Sequence, residues 1–171
     1  MPLVQKIDGM ELYCGVMLYP KGQDPAAILK DRATEISFAT AASSGESSAK
    51  AATEGKASIS VRNHEAAANA VKAGKAKAAF VKNFWWDNNK GKFPELEMYL
   101  VPGVSEKKNP DNILWASKSV AAELQAKLTK AAQDQKTAFG AKEMKAFDAA
   151  QLQFTLDLMA KGKIDPKTYS W

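Results

Sequence analysis

The sequence is poor in the residue types on which most enzymes and metal proteins rely. It has one cysteine, Cys14, and one histidine, His64, in 171 residues. A single cysteine excludes an internal disulfide, a Cys-pair zinc site and a haem-attachment motif. One histidine and one cysteine about fifty residues apart make a poor ligand set for a transition metal. Glycine-rich phosphate loops are missing too. Gly45 stands alone, so there is no Walker or dinucleotide-binding loop, and no nucleophile-elbow pattern is present. Apolar runs stop short of membrane-spanning length, and no secretory leader is visible at Met1-Pro2-Leu3-Val4-Gln5-Lys6. A chain that stays where it is made, or a mature or truncated form, is expected. With no catalytic constellation assembled, so is a non-enzymatic role without cofactor or metal.

What is present is mild in charge and ordinary in hydrophobicity. Lys+Arg number 24 against 19 Asp+Glu, a net of +5, with 46% hydrophobic residues and 25% charged. Lysine dominates and is scattered, without the cluster of arginines and aromatics on one basic face that nucleic-acid readers carry. Nucleic acid is therefore not an expected partner, whereas a small anion or an acidic partner suits this balance. The length fits one globular domain over 1–171 with a sizeable core.

Strand and helix signals alternate along the chain. Leu12 to Tyr19 is an apolar run closed by Pro20 and Gly22, read as a strand buried on both faces. Asp24-Pro25 opens a short helix with Asp24 as N-cap. Ile36 to Ala39 reads as a strand, Glu46 to Thr53 as a weak helix, and Ala57 to Val61 as a strand. Asn63 caps a helix ended by Gly74. Ala78 to Val81 and Leu96 to Leu100 read as strands, and Asn83 to Asn89 as one or two helical turns. Ile113 to Ala116 is a further strand. Ser119 is read as the cap of a helix whose Val120, Leu124 and Leu128 share a face, with Glu123 and Lys127 paired one turn apart. A last helix spans about Lys142 to Ala160. This alternation predicts an α/β fold, a mainly parallel sheet with helices on both faces.

The chemistry-bearing residues gather in the stretch 36–86. Thr40 to Ser48 is a turn of small residues directly after a strand. Its hydroxyls, its uncovered N–H groups and the positive end of the helix behind it make a candidate anion site. Helix capping explains the same serines and threonines. His64 follows the strand ending at Val61, which puts it on the same sheet edge. It is either a solvent-facing first-turn residue or a donor to an anion. Lys82 follows a buried strand at that edge, while the other lysines read as a solvated face. Phe84-Trp85-Trp86 is core packing, a ligand-stacking wall or a protein interface.

In this order the motifs resemble the phosphate/phosphonate-type solute-binding proteins of ABC transporters, which have a type II periplasmic binding protein fold. The family's crossover strand and helix are similar to Leu12 to Leu29. Its Ser-Thr-Ser-Gly turn is similar to Ala42-Ser43-Ser44-Gly45, and its Ser-His-Glu-Ala-Ala stretch to Asn63-His64-Glu65-Ala66-Ala67. Its Gly-x-Ala-Asp-Ala-Ala stretch is similar to Gly74-Lys75-Ala76-Lys77-Ala78-Ala79, and its returning strand and helix to Asn109 to Leu128. The resemblance implies that Ser43, Ser44, the Gly45 backbone and His64 hold the oxygens of a small oxyanion, with Lys82 adding charge. It also implies extracytoplasmic residence and an ABC permease as partner.

Three departures from the pattern matter. The family's first turn serine is Ala42 here, the segment between Gly45 and Asn63 is short, and Lys82 stands where aminophosphonate binders have an acid. That last exchange favours a purely anionic ligand. The resemblance covers only the family's second half or so: 20–105 as a lobe-like core, 106–171 as hinge strand and C-terminal helices. The lobe that supplies the opposite wall is expected to be missing. The alternative is a non-catalytic interaction subunit that keeps half of this fold. It would dock a partner supplying the missing lobe, or a second copy, through Trp85, Trp86, Tyr169 and Trp171.

Overall fold

The computed structural model describes residues 1–169. Their contacts group into two compact units, one formed by Met1–Tyr13 with Lys108–Gln153, the other by Cys14–Lys107 with the chain from Phe154 onward. One boundary falls between Lys107 and Lys108. The first unit joins residues 1–13 to part of the segment expected as hinge strand and C-terminal helices. Its residues 1–13 carry no strong periodic signal, and only their partners far along the chain reveal the sheet they enter.

The larger unit is built on a five-stranded sheet of order β5-β4-β6-β3-β7. Its strands are β3 (Gly15–Pro20), β4 (Ile36–Ala39), β5 (Ile59–Val61), β6 (Ala78–Lys82) and β7 (Leu96–Tyr99). β4 is parallel to both β5 and β6, whereas β3 is antiparallel to β6 and to β7. Four of the five strands thus run one way and β3 runs against them. Alternation along the strands splits the core in two. Val16, Leu18, Ala79 and Val81 face a cluster with Ala67, Ala68, Val71 and Trp86. Met17, Phe38 and Phe80 face another with Ala49, Ala51 and Leu158.

Helices cover both faces accordingly. α3 (His64–Lys72) and α4 (Asn83–Asn89) lie on the first face. α1 (Pro25–Asp31), α2 (Ser48–Ala52) and α6 (Gln153–Lys161) lie on the second. The expected caps form. Asp24 accepts from the Ala26 N–H at 2.9 Å, and Asn63 from the Ala66 N–H at 2.8 Å. Gly74 closes α3 at φ +70°, a conformation that suits glycine. β7 is the half-exposed edge strand expected, but only Leu96 is buried, with Met98 and Leu100 exposed.

The smaller unit is a three-stranded antiparallel sheet of order β10-β1-β9, from β1 (Pro2–Ile7), β9 (Ile113–Trp115) and β10 (Glu143–Ala146). A two-residue pair, β2 (Leu12–Tyr13) with β8 (Asn109–Pro110), adjoins it. The continuous strand read over Leu12 to Tyr19 is therefore two strands broken at Cys14.

The expected 142–160 helix also gives way. Its first residues form β10, with Met144 alone buried among Glu143, Lys145 and Ala146, and α6 begins only at Gln153. Pairing with β1, far away in sequence, outweighs the helical propensity of this Ala- and Lys-rich stretch. α5 (Ala122–Asp134) starts after Ala121, without a Ser119 cap, and buries Ala132 while Leu124 and Leu128 stay exposed. The Glu123–Lys127 ion pair does form, at 2.6 Å.

Candidate functional site

β4, β5 and β6 run in one direction, so their carboxyl ends share one edge of the sheet. The chain leaves β4 for α2 on one face and leaves β5 for α3 on the other. Helices that part to opposite faces in this way open a crevice at the strand ends, where open α/β sheets bind ligands. Residues 40–47, 62–64 and 82–83 line this edge.

The Ser/Gly turn is tighter and more buried than an open donor cradle. Ser43–Ser47 forms a single π-helical turn, and Ser44, Gly45, Glu46 and Ser47 are all buried. A Cβ on Gly45 would lie 2.8 Å from the Ala39 carbonyl oxygen and 2.9 Å from the Ala39 nitrogen. Glycine is needed there so that the turn can fold back on the end of β4. Its N–H donates to the Ala42 carbonyl at 3.0 Å. Gly45 is therefore a packing residue, and its backbone is not the free donor expected. The helix behind the turn, α2, has only five residues, too few for a strong terminal dipole.

Glu46, which the sequence reading passed over, anchors the turn from within. Its Oε2 accepts from the Ala41 N–H at 2.9 Å and from the Tyr169 hydroxyl. Its Oε1 lies 3.0 Å from Lys50 Nζ. Burial alone would raise the carboxyl's pKa, but the bonds from Tyr169, Ala41 and Lys50 outweigh it and hold the group below its ordinary range. The donor at the mouth of the turn is thus satisfied by the chain's own carboxylate. Tyr169, expected at an interface, is half-buried and holds this carboxylate. Trp171 lies outside the described residues.

On the other side of the turn, Ser44 Oγ lies 3.4 Å from His64 Nε2. His64 opens α3 directly after its cap, and its ring sits 6.1 Å, centroid to centroid, from Trp85, which in turn contacts Phe93 at 5.9 Å. Burial, and secondarily the charge of Lys82, push the imidazole down to about 4, so it is neutral at neutral pH. Its Nδ1 is buried without a hydrogen-bond partner among the described residues.

Lys82, the last residue of β6, carries its Nζ 5.8 Å from the Phe84 ring centroid. The next residue, Asn83, is buried. Its Oδ1 accepts from the Cys14 N–H at 3.1 Å, and its own N–H donates to the Cys14 carbonyl at 3.0 Å. The Nδ2 group is left buried and unpartnered among the described residues. Asn83 was not a sequence-level candidate; Asn before a helix reads as a cap, and the pairing to Cys14 spans 69 residues. Two unsatisfied buried polar atoms on one edge call for an explanation.

Trp86 is 6% exposed and belongs to the core, so it is not a docking residue, while Trp85 is half-buried against the same cluster. Among the described residues there is no His/Cys/Asp/Glu group that could hold a metal ion. Nor is any of their helices long and apolar enough to cross a membrane.

This is the fold of type II periplasmic binding proteins, in part. XAC2383 from Xanthomonas citri, solved with ATP, matches with TM-score 0.72 at 14% identity, over 95% of this chain and 70% of that one. A binding protein component of an ABC phosphonate transporter, PA3383 from Pseudomonas aeruginosa, matches with TM-score 0.66 at 15% identity, over 95% and 62%. PhnD1 from Prochlorococcus marinus, solved with methylphosphonate, matches with TM-score 0.60 at 15% identity, over 94% and 70%. The chain thus spans about two thirds of the length of these structures. At such identities the likeness is one of fold. No protein-family model matches the sequence, and no curated protein matches it.

Proposed function

We propose that the chain is a non-catalytic solute-binding domain that takes a small oxyanion at the carboxyl edge of β4, β5 and β6. The observation that carries this reading is the pair of buried, unpartnered groups, His64 Nδ1 and Asn83 Nδ2, on the edge that also bears Lys82. When Ser44 donates to Nε2, the neutral ring's proton sits on Nδ1, which then faces a ligand as a donor. Lys82 supplies charge and Ser43 a hydroxyl, while Ser44, whose one proton goes to His64, sets the ring's tautomer. The match to structures described as phosphonate-transporter components or solved with methylphosphonate supports this ligand class. Extracytoplasmic residence and delivery to an ABC permease follow from the same reading.

Calorimetric titration with phosphate, phosphite, methylphosphonate and sulfate tests it. Saturable heat with at least one of them, lost in His64→Gln and in Lys82→Met, is expected. A folded sample that binds none of the four sinks the proposal.

A second reading, an interaction subunit that docks a partner or a second copy, is favoured by the smaller unit. Trp115, Leu124, Leu128 and Phe139 are each more than 40% exposed there. Sedimentation separates the two: a strictly monomeric species that binds an oxyanion leaves this reading without self-association to explain.

A further inference from the structure

The three-stranded sheet of the smaller unit has two unlike faces. α5 covers the face of Val4 and Met144. On the other face, Gln5 is paired with Lys145 and Ile7 with Glu143. There the sheet borders a cavity of about 440 Å³, completed by Glu11, Asp148 and Gln151. That volume lies within the range of small-molecule sites.

The lining chemistry is mainly acidic. Three carboxylates, Glu11, Glu143 and Asp148, meet one ammonium, Lys145, in a chain whose net charge is +5. Glu11 stays ionised, because backbone N–H groups, among them that of Gly9 at 2.7 Å, hold its pKa below the usual range. Asp148 Oδ1 caps the Ala150 N–H at 2.9 Å and keeps lone pairs to spare.

Gln5 is the independent feature. It is only 5% exposed. Its Nε2 donates to the Glu11 carbonyl at 2.7 Å and to the Asp111 carbonyl at 3.2 Å. Both N–H groups are spent and the amide cannot flip without setting oxygen against two carbonyls. The group left for the cavity is Oε1, an acceptor with no partner among the described residues. An unpartnered acceptor that opens on a cavity bordered by three carboxylates suits a donor with positive charge.

We propose that this cavity binds a protonated primary amine. Gln5 Oε1 accepts one ammonium N–H, while Glu143 and Asp148 balance its charge. The ammonium is that of a free diamine or of the side chain of a basic amino acid, whose carboxylate Lys145, in the same lining, would meet. This site lies in the smaller unit and does not depend on the oxyanion reading.

Titration of the full ¹⁵N-labelled chain with cadaverine and with L-lysine, followed at the Gln5 side-chain amide, tests it. A saturable shift of that amide pair with at least one ligand is expected. Tighter binding of lysine assigns the carboxylate contact to Lys145, and tighter binding of cadaverine assigns the site to diamines. Glu143 is exposed, so Glu143→Lys should fold and should weaken binding about tenfold or more. Glu54→Lys, an exposed acid in the larger unit, should change it less than about twofold. No saturable shift with either ligand up to about 10 mM, or equal weakening by both variants, overturns the proposal.

Discussion

Lowering the pH through the window between 6.5 and about 4 should cost this protein a defined part of its stability through one side chain. His64 has an ordinary value of 6.5 and is pushed to about 4 in the folded chain, first by burial and then by Lys82. Because the folded value is the lower one, the unfolded chain holds the proton more tightly. The contribution is therefore complete above about pH 6.5 and shrinks as the pH falls. It is gone once the folded imidazole has also protonated, near pH 4. The full span corresponds to about 3 kcal/mol, a large share of the stability of an ordinary domain. His64 is the only histidine, so its ring proton resonances report one group, and their midpoint should fall near 4. Urea unfolding at about pH 7.5 and about pH 4.5 should differ by about 2–3 kcal/mol more in the parent than in His64→Gln. A midpoint between about 6 and 7 would refute the reasoning, for the ring would then be neither desolvated nor exposed to the Lys82 charge. Oxyanion binding should raise the same midpoint, because an anion near the ring favours the imidazolium.

Four further outcomes follow from the packing. Gly45→Ala sets a methyl against the Ala39 backbone, and a loss of about 1–3 kcal/mol is expected by denaturant unfolding. Tyr169→Phe removes the phenol that holds Glu46 while Lys50 and the Ala41 N–H remain. A loss of about 1–2 kcal/mol is expected. Glu46 stabilises the fold above its ordinary 4.5, and this is lost as the pH falls through its depressed value. In Tyr169→Phe acid unfolding should therefore begin at a higher pH. Phe80→Ala empties a fully buried position between Met17 and Phe38 and should cost about 3–5 kcal/mol. Leu124→Ala on exposed α5 should stay within about 0.5 kcal/mol, a contrast that thermal melts can check.

The larger unit was readable because its signals are local. Asp24-Pro25, Asn63 and Gly74 mark helix ends through their own side chains and backbone, and Ile36–Ala39 fills the four positions assigned to it. The smaller unit was not readable, because its sheet joins residues 2–7 to residues 113–115 and 143–146. Nothing in Glu143-Met144-Lys145-Ala146 by itself prefers a strand. Only the neighbouring β1 makes it one, and such long-range pairings leave little trace in one sequence. α5 shows the same limit on a finer scale: its apolar spacing is helical, but the side it buries is fixed by what lies beneath it.

The candidate site divides along the same line. Ser44, His64 and Lys82 could be placed on one edge from strand order alone, since the residue after a parallel strand sits at that strand's carboxyl end. What each group is free to do depends on contacts that order does not reveal. The turn has two sides. Ser44 meets the residue that opens α3, while Glu46 turns toward Ala41 and Tyr169. A serine-rich turn read on its own therefore looks like an anion cradle. In the fold its mouth already holds the chain's own carboxylate, and the buried groups of this edge without a partner among the described residues are on His64 and Asn83. On the proposed function an oxyanion belongs beside His64, Asn83 and Lys82, because at Ala41 it would meet a buried negative charge. Glu46→Gln should accordingly leave oxyanion affinity nearly unchanged while it lowers stability, whereas Lys82→Met should do the reverse.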